Sequence, residues 1–117
     1  MNRTMETLES IEPKSLPSEI RLLFIPLRSA LRIAHSAGHT QGPLNPNVNG
    51  LVAFHKFSWD NRDWVVHAAC HADVLLNFLF DAIATPDAVG IVAGPRGAKK
   101  LGINGKPIEN LQVYLKT

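Results

Sequence analysis

The stretch Phe54–Pro86, FHKFSWDNRDWVVHAACHADVLLNFLFDAIATP, sets the terms on which this chain can fold. It holds both tryptophans, four of the five phenylalanines, three of the five histidines and the only cysteine. So dense an apolar block has to lie at the core, because nothing else in the chain could remove as much apolar surface from water.

Two local structures compete for it. In the first, Leu51 to Ser58 and Asp63 to Ala69 are antiparallel strands joined over Trp59-Asp60-Asn61-Arg62. Val, Phe and Trp in the flanks suit a pleated, half-buried surface. Asp and Asn suit the turn, because their side chains bond nearby backbone groups. A helix then runs from about His71 to Ala84, with Ala72, Leu75, Leu76, Leu79 and Ile83 on its core face and Asp73, Asn77 and Asp81 opposite. Thr85-Pro86 ends it, since proline disfavours a helical residue before it. In the second, one long helix starts at Asp60 as N-cap. That helix would place Cys70 and Val74 inside a polar arc of His67, His71, Asp73, Asn77 and Asp81. The hairpin followed by a helix is the better fit, because Trp64-Val65-Val66 prefers strand.

The first helix spans Pro17 to Ala37. Proline is tolerated in a first turn, and Glu19 suits the positive end. Ile20, Leu23, Phe24, Leu27, Leu31 and Ala34 recur at the spacing of a core face. Pro26 removes a helical hydrogen bond and is expected to kink the rod. A short strand or separate turn over Ile20 to Ile25, with the helix proper beginning at Pro26, is the alternative. Arg21, Arg28, Arg32 and His35 form a basic stripe, and Leu22, Ile25 and Ile33 lie between that stripe and the core face. Apolar residues thus cover more than half the circumference, where a surface helix usually needs one stripe. The expectation is burial on two sides, one of them against another molecule.

The remaining segments are simpler. Residues 1–16 are polar and read as a flexible tail, leaving 17–117 as a single domain. GHTQGPLNPNVNG, from Gly38 to Gly50, is loop by its Gly, Pro and Asn content. Val89 to Ala93 is a short strand. GPRGAKKLGINGKP follows, basic and rich in glycine, with Asn104-Gly105 as a hairpin turn. Leu111, Val113 and Leu115 alternate with polar neighbours, so the chain ends in a strand.

Bulk properties narrow the function. At 117 residues, 45% hydrophobic and 19% charged, the chain reads as one globular domain. A single cysteine excludes an intramolecular disulfide. No apolar run approaches the roughly 18 residues of a membrane helix, and MNRTMETLESIEPK lacks the apolar run of a signal peptide. A cytoplasmic protein is expected. Net charge is +2, and from residue 20 onward ten Lys/Arg against six Asp/Glu leave +4. That permits a polyanion partner, though dedicated nucleic-acid binders show denser patches.

No catalytic, cofactor or metal set emerges. His35/His39 and His67/His71 are spaced HxxxH, which on a helix could grip zinc. The residue after each first histidine is Ser36 or Ala68, however, where a metalloprotease needs Glu. On a strand the second pair would stand about 13 Å apart. Cys70 has small apolar neighbours and no orienting third group, the setting of an inert thiol.

The fold expected is α+β: two helices packed on a small antiparallel sheet made of the central hairpin and the C-terminal strands. The function expected is non-enzymatic, a small regulatory or inhibitory protein that binds another protein and forms a homodimer. Its contact would be Leu22, Ile25 and Ile33, rimmed by Arg21, Arg28 and Arg32. The alternative is nucleic-acid binding through Arg96, Lys99 and Lys100, helped by the first-helix arginines.

Overall fold

The computed structural model describes residues 2–36, 55–67, 71–108 and 112–116. Helices α1 (Met5–Ser10) and α2 (Ser18–Ser36) come first, followed by strands β1 (His55–Trp59) and β2 (Arg62–His67), helix α3 (Ala72–Ala84), and strands β3 (Val89–Ala93), β4 (Lys99–Ile103), β5 (Lys106–Pro107) and β6 (Gln112–Leu115). The class is α+β.

The central hairpin forms because two successive residues accept a left-handed backbone. Asp60 and Asn61 have φ of 53° and 57°, the geometry of a two-residue turn whose twist matches its strands. Register then follows: Phe57 faces Trp64 and Ser58 faces Asp63. Phe57, Trp59, Trp64 and Val66 are buried while Lys56, Ser58 and Asp63 are exposed, a period of two that excludes the single long helix. The fully buried Trp64 indole donates to the Trp59 carbonyl oxygen at 3.2 Å, which satisfies its one polar atom. The two tryptophan rings pack tilted, with centroids 5.9 Å apart.

β6 pairs with β2 in antiparallel register, so the C-terminal strand joins the hairpin as expected. The strands between them in sequence do not join that sheet. β3, β4 and β5 form a second three-stranded sheet, order β3-β4-β5. The Asn104-Gly105 turn, with φ of 53° and 79°, folds β5 back on β4. Gly102 accepts this tight return because a side chain there would overlap the Lys106 carbonyl oxygen and a Val92 methyl. Leu101 of β4 and Val113 of β6 are both fully buried and belong to one core with the helices.

α2 is continuous through Pro26, which excludes a strand over Ile20–Ile25. The carbonyl that loses its helical donor belongs to Leu22, a residue on the outward side of the helix. Ile20, Leu23, Phe24, Leu27 and Leu31 are buried, as their spacing predicts. α3 stops at Thr85, whose N–H and hydroxyl both donate to the Asp81 carbonyl, with Pro86 next. Its buried surface is wider than expected. Phe78, Phe80 and Ala82 are enclosed, while Leu76 and Ile83 are only half-buried.

The N-terminal residues are not a free tail. Thr4 caps α1 by accepting from the Thr7 N–H at 3.1 Å. Leu8 is fully buried, Leu16 nearly so, and Met5 and Ile11 pack on the same core. The physical reason is apolar spacing: Met5, Leu8 and Ile11 give a short helix one greasy edge that α2 can cover.

Candidate functional site

α2 carries the residues singled out for partner contact. Leu22 and Ile25 are neighbours on its outward side, 51% and 43% exposed, and are the exposed large hydrophobics among the described residues. Ile33, two to three turns on, is only half-buried and touches the core. Pro26 and Ser29 lie between them on the same face, half-buried. The apolar centre is therefore Leu22 and Ile25, with Ile33 at its edge.

The arginine stripe does not stand free beside this patch. Arg28 donates through Nη1 to the carbonyls of Leu8 at 3.3 Å and Ile11 at 2.9 Å, and its guanidinium lies 4.7 Å over the Phe24 ring. Those carbonyls close the C-terminal end of α1, where a cation suits the helix dipole. Arg21 donates to the carbonyls of Pro13, Lys14 and Leu16 at 3.0–3.3 Å. Arg32 makes a two-pronged pair with Glu9, both bonds 2.8 Å. This pairing holds the Glu9 carboxyl below its ordinary pKa. The hydrogen bond from Arg32 is the main cause, partial burial opposes it, and the charges of Arg32, Arg28 and His35 add to it. The same bond raises Arg32. The stripe is a clasp that fastens residues 8–16 along α2, a role sequence reasoning missed.

A second arm contact reaches α3. Arg3 donates to the Asn77 side-chain oxygen at 3.2 Å and pairs with Asp81 at 2.5 Å. These α3 residues also edge a concavity of about 420 Å³ between α3 and the β4–β5 hairpin.

The basic segment splits by geometry. Lys99 and Lys100 are consecutive on β4, so their side chains leave opposite faces of the sheet. Lys99 is exposed, whereas the Lys100 stem lies against Gly94. Arg96 is exposed at the loop tip on a left-handed backbone, φ 56°. The three cations do not converge on one surface.

His71 occupies the N-cap position of α3 and His35 is exposed near the end of α2. His39 and Cys70 lie outside the described residues. Among the described residues no three His, Cys, Asp or Glu side chains gather as metal ligands would, and no helix is long and apolar enough to cross a membrane. Comparison with protein-family models, with curated proteins and with solved structures returned no match for this chain.

Proposed function

We propose that this protein is a small cytoplasmic regulatory or inhibitory module that acts by binding protein, with the outward face of α2 meeting a second copy of the chain. The observation that carries the reading is the uncovered pair Leu22 and Ile25 on adjacent positions of one helix face. Single exposed aliphatics are ordinary, but adjacent ones on an otherwise well-buried helix form a patch. Charge supports a like partner. The neighbouring Arg32 is paired with Glu9, and Arg21 and Arg28 are turned onto carbonyls of the same chain. A two-fold contact brings the same surface of both copies together, so free cations near its axis would face like charge, and Glu9 neutralises Arg32 there.

The patch is small, and the expected affinity follows. Fully burying one Leu or Ile is worth about 1.5–3 kcal/mol, and these two are already half-covered. Four such side chains across a two-fold axis give roughly 4 kcal/mol of gross burial, and the cost of association is drawn from that sum, so these side chains alone set a Kd of about 1 mM or weaker. Pro26 and the aliphatic stem of Arg32 extend the contact and offset part of that cost, so association at about 1 mM is the expectation. Sedimentation equilibrium from about 20 μM to 1 mM tests it. The wild-type mass should rise with concentration, and Leu22→Asp combined with Ile25→Asp should hold the chain monomeric with an unchanged circular dichroism spectrum. A wild-type protein that stays monomeric across the range removes the homodimer.

A further inference from the structure

The concavity between α3 and the β4–β5 hairpin lies apart from the α2 face and has the make-up of a ligand site. Its volume is about 420 Å³, within the 300–1,000 Å³ common for small-molecule pockets. Val74, Phe78, Ile103 and Ile108 supply an apolar lining. Asp81 and Asn77 stand on α3, while Lys106 and Asn104 stand on the hairpin. One wall thus offers a carboxylate and an amide, the other a cation and an amide, across an apolar floor. Lys106 has no carboxylate within ion-pair distance among the described residues.

The molecule shows what chemistry the α3 wall accepts. The guanidinium of Arg3 donates to the Asn77 backbone and side-chain oxygens and to the Asp81 carboxylate. A tethered guanidinium, supplied by the chain's own arm, therefore already holds two of the lining residues. Arg3 and Asp81 are both more than two-fifths exposed, so this pair is weak and exchangeable.

We infer that this concavity binds a small zwitterion with a guanidinium or ammonium head, an aliphatic stem and a carboxylate, the chemistry of a basic amino acid or a short peptide bearing one. The cationic head takes the place of Arg3 on Asp81 and Asn77. The stem lies on Phe78, Ile103 and Ile108. The carboxylate meets Lys106 and the Asn104 amide. Arg3 acts as a built-in competitor that ligand must displace.

Titration of ¹⁵N-labelled protein with L-arginine tests the site, with agmatine, which lacks the carboxylate, as the second probe. A ligand of this size is expected to bind with a Kd of about 1–5 mM. Saturable shifts should centre on Val74, Phe78, Ile103 and Ile108. Arg3→Ala should tighten binding by up to about fivefold, the value of an exposed ion pair. Asp81→Asn should weaken both probes by up to about fivefold, the value of an exposed ion pair, and Lys106→Gln should weaken L-arginine without weakening agmatine. Both positions are solvent-accessible, so the dispersion of the spectrum verifies each fold directly. The proposal is overturned if neither wild type nor Arg3→Ala shows saturable shifts up to about 20 mM. It is equally overturned if Asp81→Asn leaves the affinity of both probes unchanged, or if agmatine binds as tightly as L-arginine.

Discussion

Leu8→Ala is the sharpest probe of how the N-terminal arm is held. Leu8 has no exposed surface, although α1 is only six residues long and ends at Ser10. Removing three carbons from a buried leucine costs about 2–5 kcal/mol, the spread reflecting how far the surroundings collapse. α1 sits at the periphery on one side of α2 and can settle inward, so the lower half applies, about 2–3 kcal/mol. For a domain of this size that lowers Tm by roughly 8–12 °C. Urea unfolding followed by fluorescence is the assay, since Trp59 and Trp64 are both buried and report the core directly. Glu6→Ala, an exposed change on the same helix, should stay within about 0.5 kcal/mol. Arg28→Met adds the decisive comparison. It removes the donor to the Leu8 and Ile11 carbonyls, and if arm and clasp form one unit, its cost should shrink once Leu8→Ala has loosened the arm. A Leu8→Ala protein within about 0.5 kcal/mol of wild type would mean the arm is not docked, and the reading of the arginines as a clasp would fall with it.

Two further outcomes are expected. Because the Glu9 carboxyl is held below its ordinary pKa by Arg32, the unfolded chain takes up that proton first as pH falls. The stability it contributes is full above roughly pH 4.3 and is lost as pH drops through the lower folded value. The stability gap between wild type and Glu9→Gln should therefore be at most about 1 kcal/mol at neutral pH and close during acid titration; a gap that widens on acidification refutes the assignment. Filter binding to DNA at about 20 mM salt should show little retention, and any complex should have a log–log salt slope no steeper than about −2, because at most two of Arg96, Lys99 and Lys100 can face one phosphate surface; a slope of about −4 or beyond would mean that the α2 arginines release the arm to bind phosphate.

Much of this fold was legible because its signals are local. The Asp60-Asn61 turn, the end of α3 before Pro86, the Asn104-Gly105 turn and the alternation near the C-terminus each depend on neighbouring residues. What was not legible depends on groups that meet from afar. Residues 1–16 are polar in bulk, and their anchors, Arg21, Arg28 and Arg32, lie up to 23 positions downstream. A helical wheel gives the direction in which those arginines point, not what comes to meet them. The same limit hid the second sheet: alternation marks a strand but not which ladder it joins. On α3 the polar row Asp73, Asn77 and Asp81 read as a solvated face, and only the return of the β4–β5 hairpin makes part of it a wall.

The arm also bears on why α2 would meet a copy of itself rather than a polyanion. Its apolar residues Met5, Leu8, Ile11 and Leu16 go into the core. Its carbonyls and Glu9 go to the arginine flank of α2. Leu22 and Ile25 stay 51% and 43% exposed beside it. The segment thus folds away the charged flank, which a nucleic acid would need free, and leaves open the apolar one. For a partner bearing phosphates this arrangement is poor, because each arginine must first give up two or more bonds before it gains one. For an identical copy it is better suited, because Glu9 neutralises Arg32, the donors of Arg21 and Arg28 are engaged within the chain, and the groups that gain from losing water are the ones left exposed.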